Sequence, residues 1–392
     1  VTIIDLLRAR YKSDIVVILA SITMLIFFIG TIVAQFIGGA RLFEAVTGYP
    51  YFIGLILFSS VVIAYTSFGG FRAVVLTDAI QGVVMLIATG VLFYVILKNG
   101  NGMENIMLSI AKTHPEMLTP TSNGNIAKPF IMSFWVLVGI GLLGYPSTTV
   151  RCMGFKDTKA MHRAMVIGTS VVGILMLGMH LVGVMGVAVE PGIDVGDKII
   201  PILALKNLHP VLAGVFIGGP LAAIMSTVDS LLIMTSATIV KDLYSHYVNK
   251  EASTEKIKKL SFMASLGFGI IVFLLSLNPP DLLVWINLFA FAGLEATFFC
   301  PIVFGLFWKK ANSTGAIASM IFGFITFIYL TVCKISILGM HTIVPVLFVS
   351  SLVFIIGSYA GEPNDEKIID ILGGVEINVS EKEVSQINGV NN

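Results

Sequence analysis

Small and hydroxyl-bearing residues recur at helical spacing within one apolar run, AAIMSTVDSLLIMTSATIVKDLY, residues 222–244. Ala223, Ser226, Thr227 and Ser230 fall at i, i+3, i+4 and i+7, so a helix presents them as one narrow polar stripe. A hard cation such as Na+ is held by oxygen ligands at close range, which hydroxyls and helix carbonyls supply. The same stripe also suits close helix packing in lipid, where small residues collect at interfaces. Asp229 shifts the balance toward an ion pathway, because a carboxylate at bilayer depth costs about 3 kcal/mol.

Other polar residues within apolar runs are few. Asp78, in GGFRAVVLTDAIQ, is either a solvated acid near Arg72 or a station on a cation's route. Glu295, in FAFAGLEATFF, is set among Ala292, Gly293 and Ala296, where water is scarce. It is either a structural acid bonded to a neighbouring helix or a contact to a solute. His180 reads as a neutral imidazole bonded to a carbonyl. No lysine or arginine sits deep in these runs to hold an anion. GIGLLGYPSTTVRC offers a substitute: its glycines and Pro146 interrupt a helix. A helix restarted at Pro146 frees N–H groups near Ser147, Thr148 and Thr149, and such a terminus attracts carboxylates. An ordinary proline kink is the other reading. Gln35, with Gly38 and Gly39, is compatible with lining a path.

These residues must be carried by membrane-spanning helices. Apolar residues make up 56% of the chain, charged residues 12%, and mean hydropathy is +0.94, far from the soluble range. The net charge of +1 suggests no nucleic-acid partner, and three scattered cysteines suggest neither a disulfide framework nor a zinc site. Ten stretches have the length of a span: 15–38, 50–71, 73–97, 129–150, 164–189, 210–240, 260–279, 282–308, 313–333 and 342–361. The sixth is long enough to tilt or to extend beyond the bilayer. With the first residues inside, 17 of the 24 lysines and arginines fall in inner segments and 7 in outer ones, which places both ends of the chain in the cytoplasm. Residues 98–128 read as a polar outer loop. In 190–210 the segment IIPILALKNL suits the interface. Residues 362–392 read as a largely disordered cytoplasmic tail. The opening residues, VTIIDLLRARYKSD, lack signal-peptide architecture and read as a loop that follows earlier sequence.

YTSFGGFRA (65–73), continued by VVLTDAIQGVVML, resembles the signature of the sodium:solute symporter family, as does the stretch from Ala222 to Tyr244. AQFIGGARLFEA (34–45), SFWVLVGIGLLGYPSTTVRCMGFKDTKAMHR (133–163), LLVWINLFAFAGLEATFFCPIVFGLFW (282–308) and LGMHTIVPVLFVS (338–350) resemble its pantothenate-carrying branch. The resemblance implies an all-α polytopic membrane protein with an inverted-repeat, five-plus-five helix transporter fold. One transmembrane domain would cover 1–361: 15–97 the rest of a first repeat, 129–308 the second, and 313–361 peripheral helices. Three further helices are expected ahead of Val1.

The family pattern also implies roles. Ala223 would offer its carbonyl to Na+, and Ser226 and Thr227 their hydroxyls. Asp78 would serve the ion's inward route, with Asp229 beside it in a role left open. Tyr145, Pro146, Ser147, Thr148, Glu295 and Gln35 would meet the solute. The implied activity is Na+-coupled import of pantothenate by alternating access across a bacterial inner membrane. No cofactor, nucleic acid or obligatory protein partner is expected. Proline or another small carboxylate is the alternative cargo. A membrane-embedded enzyme or a sensor is the alternative class, against which stand the absence of HExxH or paired intramembrane aspartates and the shortness of the tail.

Overall fold

The computed structural model describes residues 2–362 except 154, 194 and 281; the side chains of 67–79, 151 and 215 are also outside the described residues. The polar tail from 363 onward therefore lies outside them. Among the described residues thirteen helices follow one another, short 3-10 turns aside: α1 (Ile3–Tyr11), α2 (Asp14–Thr47), α3 (Tyr51–Asn99), α4 (Met103–Thr113), α5 (Lys128–Gly144), α6 (Pro146–Met153), α7 (Thr158–Val189), α8 (Ile199–Asn207), α9 (Pro210–Val248), α10 (Thr254–Leu275), α11 (Val284–Phe307), α12 (Ser313–Val332) and α13 (Ile343–Ala360). Among the described residues, eight helices are long and apolar enough to cross a membrane: α2, Ile80–Asn99 within α3, α7, and α9 to α13. The two remaining expected spans fall on shorter apolar stretches, Tyr51–Thr66 and α5.

Three expectations are corrected. The spans 50–71 and 73–97 are not separated, because α3 runs unbroken for 49 residues. At 1.5 Å per residue this is about 73 Å, more than twice a bilayer's hydrocarbon core. Arg72 marked the boundary in the sequence, but one charge does not end a helix, and 51–99 contains no proline. Gly69 and Gly70 weaken a helix by about 1 kcal/mol each without stopping it. The supposed outer loop 98–128 contains α4, which buries Ile106 and Ile110. IIPILALKNL folds as α8 and buries Leu203 and Ala204 in a cluster with Val182, Met185, Ala213 and Phe216.

The opening residues are likewise not a loop. Thr2 and Asp5 form a reciprocal capping box, each side chain accepting the other's backbone N–H at 3.1 and 2.9 Å, which nucleates α1. Its face of Ile3, Ile4, Leu7 and Tyr11 is buried. The Tyr11 hydroxyl donates to the Pro301 carbonyl at 2.7 Å, and Arg10 Nε to the Gly305 carbonyl at 2.5 Å. The Gly305 carbonyl, in the last turn of α11, lacks a partner within the helix. Thr2 also donates to Asp242 of α9 at 3.1 Å. α1 thus fastens the near ends of α9 and α11 together.

The core forms where α2, α11 and α12 meet. Phe27 packs edge-on against Phe289, Phe324 and Phe327, with ring centroids 5.8–5.9 Å apart. At the far end of α2, Arg41 donates to Asp197 at 3.0 Å and to the Pro280 carbonyl, and the Leu283 N–H donates to the same carboxylate at 3.2 Å. Burial pushes the Asp197 carboxyl above its ordinary value, even though the Leu283 N–H and Arg41 pull it down. Arg41→Ala is expected to cost about 2 kcal/mol, less than a fully buried pair because Asp197 keeps some solvent. The measurement is thermal unfolding in detergent, with Arg41→Lys as the milder comparison. An unchanged melting temperature in Arg41→Ala would show that this network does not stabilise the fold.

Candidate functional site

On α9 the stripe is half-buried at Ala223, Ser226 and Thr227. Ser226 Oγ and Thr227 Oγ1 both donate to the Ala223 carbonyl, at 3.4 and 3.1 Å. One carbonyl and two hydroxyl oxygens are thereby gathered on a single turn. A hydroxyl that donates backwards in this way keeps its lone pairs for another group. This is a partial oxygen cage for a cation, and it is also the ordinary back-bonding of Ser and Thr in helices.

Asp229 turns elsewhere. It is buried and accepts from Thr66 Oγ1 of α3 at 2.5 Å. Asp78 falls within 67–79, so its side chain lies outside the described residues.

α2 runs antiparallel to α9. The Tyr247 hydroxyl donates to Asp14 at 2.8 Å near one end. Toward the other, a side chain at Gly38 would lie 3.5 Å from Ile224. Three residues back from Gly38 and three on from Ile224 bring half-buried Gln35 level with Thr227.

The interrupted helix expected around Pro146 is present. α5 loosens into a π-turn over Trp135–Ile140, tightens into a 3-10 turn over Gly141–Gly144, and becomes extended at Tyr145 (φ −76°, ψ 119°). α6 restarts at Pro146. Tyr145 and Pro146 are buried, Ser147 is half-buried and Thr148 exposed. The break lies against α11. Tyr145 meets Phe291 edge-on at 5.2 Å, and glycines allow the backbones to touch. A side chain at Gly141 would run into the Glu295 carboxylate, and one at Gly144 into the backbone of Phe299. Glu295 is 0% exposed, and among the described residues neither carboxylate oxygen has a hydrogen-bond partner.

The predicted residues therefore form two groups. Gly38 faces Ile224, whereas a side chain at Gly30 would lie 3.3 Å from Ala290 of α11. Counting along α2 from these contacts separates the level of Thr227 from that of Glu295 by about 15 Å. The break and Glu295 belong together; the stripe and Gln35 form the other set. His180 is in neither, and its Nδ1 lies 2.6 Å from the Met176 carbonyl. Sequence reasoning missed Thr66 and Gly141. Thr66 stood inside the YTSFGGFRA motif, and Gly141 was noticed only for loosening the helix.

Comparison with known proteins follows the same lines. The model of the sodium:solute symporter family matches residues 1–323. The chain is 46% identical over 363 residues to a sodium/pantothenate symporter of Escherichia coli (strain K12), covering 92% of this chain and 75% of that protein. It is 46% identical over 370 residues to a sodium/pantothenate symporter of Haemophilus influenzae, covering 93% and 76%. An osmoregulated proline transporter of Bacillus subtilis is 33% identical over 356 residues, covering 90% and 72%. Among solved structures, a Na+-coupled sialic acid symporter in a substrate-bound outward-open state superposes with a TM-score of 0.76 at 18% identity. That match covers 93% of this chain and 78% of the other, and it shows a shared fold.

Proposed function

The chain belongs to the sodium:solute symporter family, and from that membership we propose that it imports pantothenate together with Na+ by alternating access. Its family and relatives are transporters rather than enzymes. The observation that carries the choice of solute is 46% identity to two sodium/pantothenate symporters, against 33% to a proline transporter. Ala223, Ser226 and Thr227 hold Na+ in this reading, with Asp78 on the ion's route and Asp229 tying α9 to α3. Tyr145, Pro146, Ser147, Thr148 and Glu295 meet the solute, and Gln35 lines the path.

The inverted-repeat architecture supplies the movement. Residues 15–97 complete one repeat, 129–308 form the second, and 313–361 pack outside them. The bacterial relatives support an inner membrane, and the lysine and arginine distribution supports both ends of the chain lying inside. One Na+ per pantothenate cancels the solute's charge, and a second would let the membrane potential drive uptake.

Labelled pantothenate uptake into cells lacking their own carrier is the test. An inward Na+ gradient is expected to drive accumulation, and choline in place of Na+ to abolish it. Unlabelled pantothenate should compete, while proline and acetate should not. Competition by proline in preference to pantothenate would transfer the assignment to an amino-acid carrier.

A further inference from the structure

The carboxylate of Glu295 lacks what a buried acid ordinarily has. Neither of its oxygens has a hydrogen-bond partner among the described residues, and the residue is 0% exposed. Buried polar atoms are nearly always paired, so a pair of orphaned acceptors needs an explanation. No cation on the elements packed on α11 lies level with Glu295: Arg10 of α1 is held at the Gly305 carbonyl, ten residues on and about 15 Å along the helix. Neither α12 nor α13 contains a charged residue, Arg41 is near the far end of α2, and Lys128 opens α5. The partner that satisfies Glu295 must therefore come from outside these helices.

We infer that Glu295 forms a specificity subsite for hydroxyl and amide donors on the solute, with Gly141 as the positioning residue that lets the broken helix close over it. This rests on the proposed transport of pantothenate. A carboxyl oxygen accepts hydrogen bonds, so a buried acid without a partner selects O–H and N–H groups on the solute. Pantothenate carries hydroxyls and an amide at a distance from its carboxylate, so it orients with its hydroxylated part toward Glu295. A short monocarboxylate has no donor to offer. An acid built for an amine would instead hold an ammonium-bearing solute such as proline as an ion pair, which makes proline the decisive competitor.

Gly141 explains how the subsite is closed. Its missing side chain is what allows the 141–144 backbone to lie on the carboxylate. The joint beside it is irregular, passing from π-turn to 3-10 turn to extended backbone within 135–145. Backbone of this kind, lining a buried polar group at bilayer depth, is where transporter helices open and close.

The test is equilibrium binding of pantothenate and of its deoxy analogue, lacking both hydroxyls, to the transporter in proteoliposomes. Wild type is expected to favour pantothenate at least about tenfold, since a site built around a hydroxyl rejects the analogue that lacks it. In Glu295→Ala the preference should fall to about twofold or less, whereas Glu295→Gln, which preserves volume and whose amide oxygen still accepts from a hydroxyl, should keep part of it. Na+-dependent thermal stabilisation reports that each variant is folded. Gly141→Ala should weaken pantothenate binding in wild type and add little in Glu295→Ala, because the new methyl group acts through the carboxylate.

An undiminished preference in both Glu295 variants would overturn the subsite while leaving pantothenate transport standing. Strong competition by proline that disappears in Glu295→Gln would overturn it too, by assigning the acid to an amine. Wild type that binds neither pantothenate nor its analogue would overturn the proposed function itself, and this inference with it.

Discussion

Replacing Ser226 or Thr227 with alanine is expected to raise the Na+ concentration for half-maximal uptake about tenfold, with a smaller effect on the maximal rate. The two hydroxyls and the Ala223 carbonyl sit on one turn of α9, with both hydroxyls already donating to that carbonyl at 3.4 and 3.1 Å. Their lone pairs are free for a cation, and a contact to a charged group is worth about 1.5–3 kcal/mol. Water replaces part of what is lost, leaving about 1.4 kcal/mol, which is one factor of ten in affinity. Thr227→Ser keeps the oxygen and should stay near wild type. Thr238→Ala removes a hydroxyl from the same helix that donates to the Met234 carbonyl, away from the stripe, and should leave Na+ dependence unaltered. The measurement is the initial rate of pantothenate uptake against Na+ concentration. Wild-type Na+ dependence in both alanine variants would remove the cation from this turn of α9.

The features legible in the sequence are those written over one or two turns of chain. The stripe was visible because a period of 3.6 brings Ala223, Ser226 and Thr227 to one face. The break at Tyr145–Pro146 was visible because a proline ring interrupts a helix wherever it falls in the interior. Contacts between distant helices were not visible. Nothing near Asp229 reveals that Thr66, 163 residues away, supplies its hydrogen bond. Nothing near Glu295 reveals that Gly141 leaves room for its carboxylate.

Helix boundaries failed where charge served as a proxy for a stop. Arg72 was read as the end of one span and the start of another, yet α3 continues through it. α1 was missed for the opposite reason. Its charged residues and short length hid an apolar face, although Thr2 and Asp5 carried a helix-start signal in plain view.

Asp229→Ala is expected to damage the fold more than it alters Na+ affinity. The carboxylate is 1% exposed and ties α9 to α3 through Thr66, so its removal deletes a contact between two helices inside the packed bundle. Thr66→Val removes the hydroxyl but keeps the volume, leaving a buried acid short of one donor. Interhelical hydrogen bonds in membranes are worth about 0.6–1.7 kcal/mol, and full burial places this one toward the upper end. Thr66→Val should therefore lower stability by about 1–2 kcal/mol, and Asp229→Ala by more. The double variant should fall short of the sum of the two losses, because each single change already breaks the shared bond. Thermal unfolding in detergent gives the energies, and uptake against Na+ concentration gives the function. If Asp229 instead served the ion directly, Asp229→Asn would retain the melting temperature and lose Na+ coupling. If it is a tie between helices, Asp229→Asn would still accept from Thr66 through its amide oxygen and keep both. The two readings thus part on one conservative substitution, and a stable Asp229→Asn transporter with no Na+ dependence would move this carboxylate from the scaffold to the ion's path.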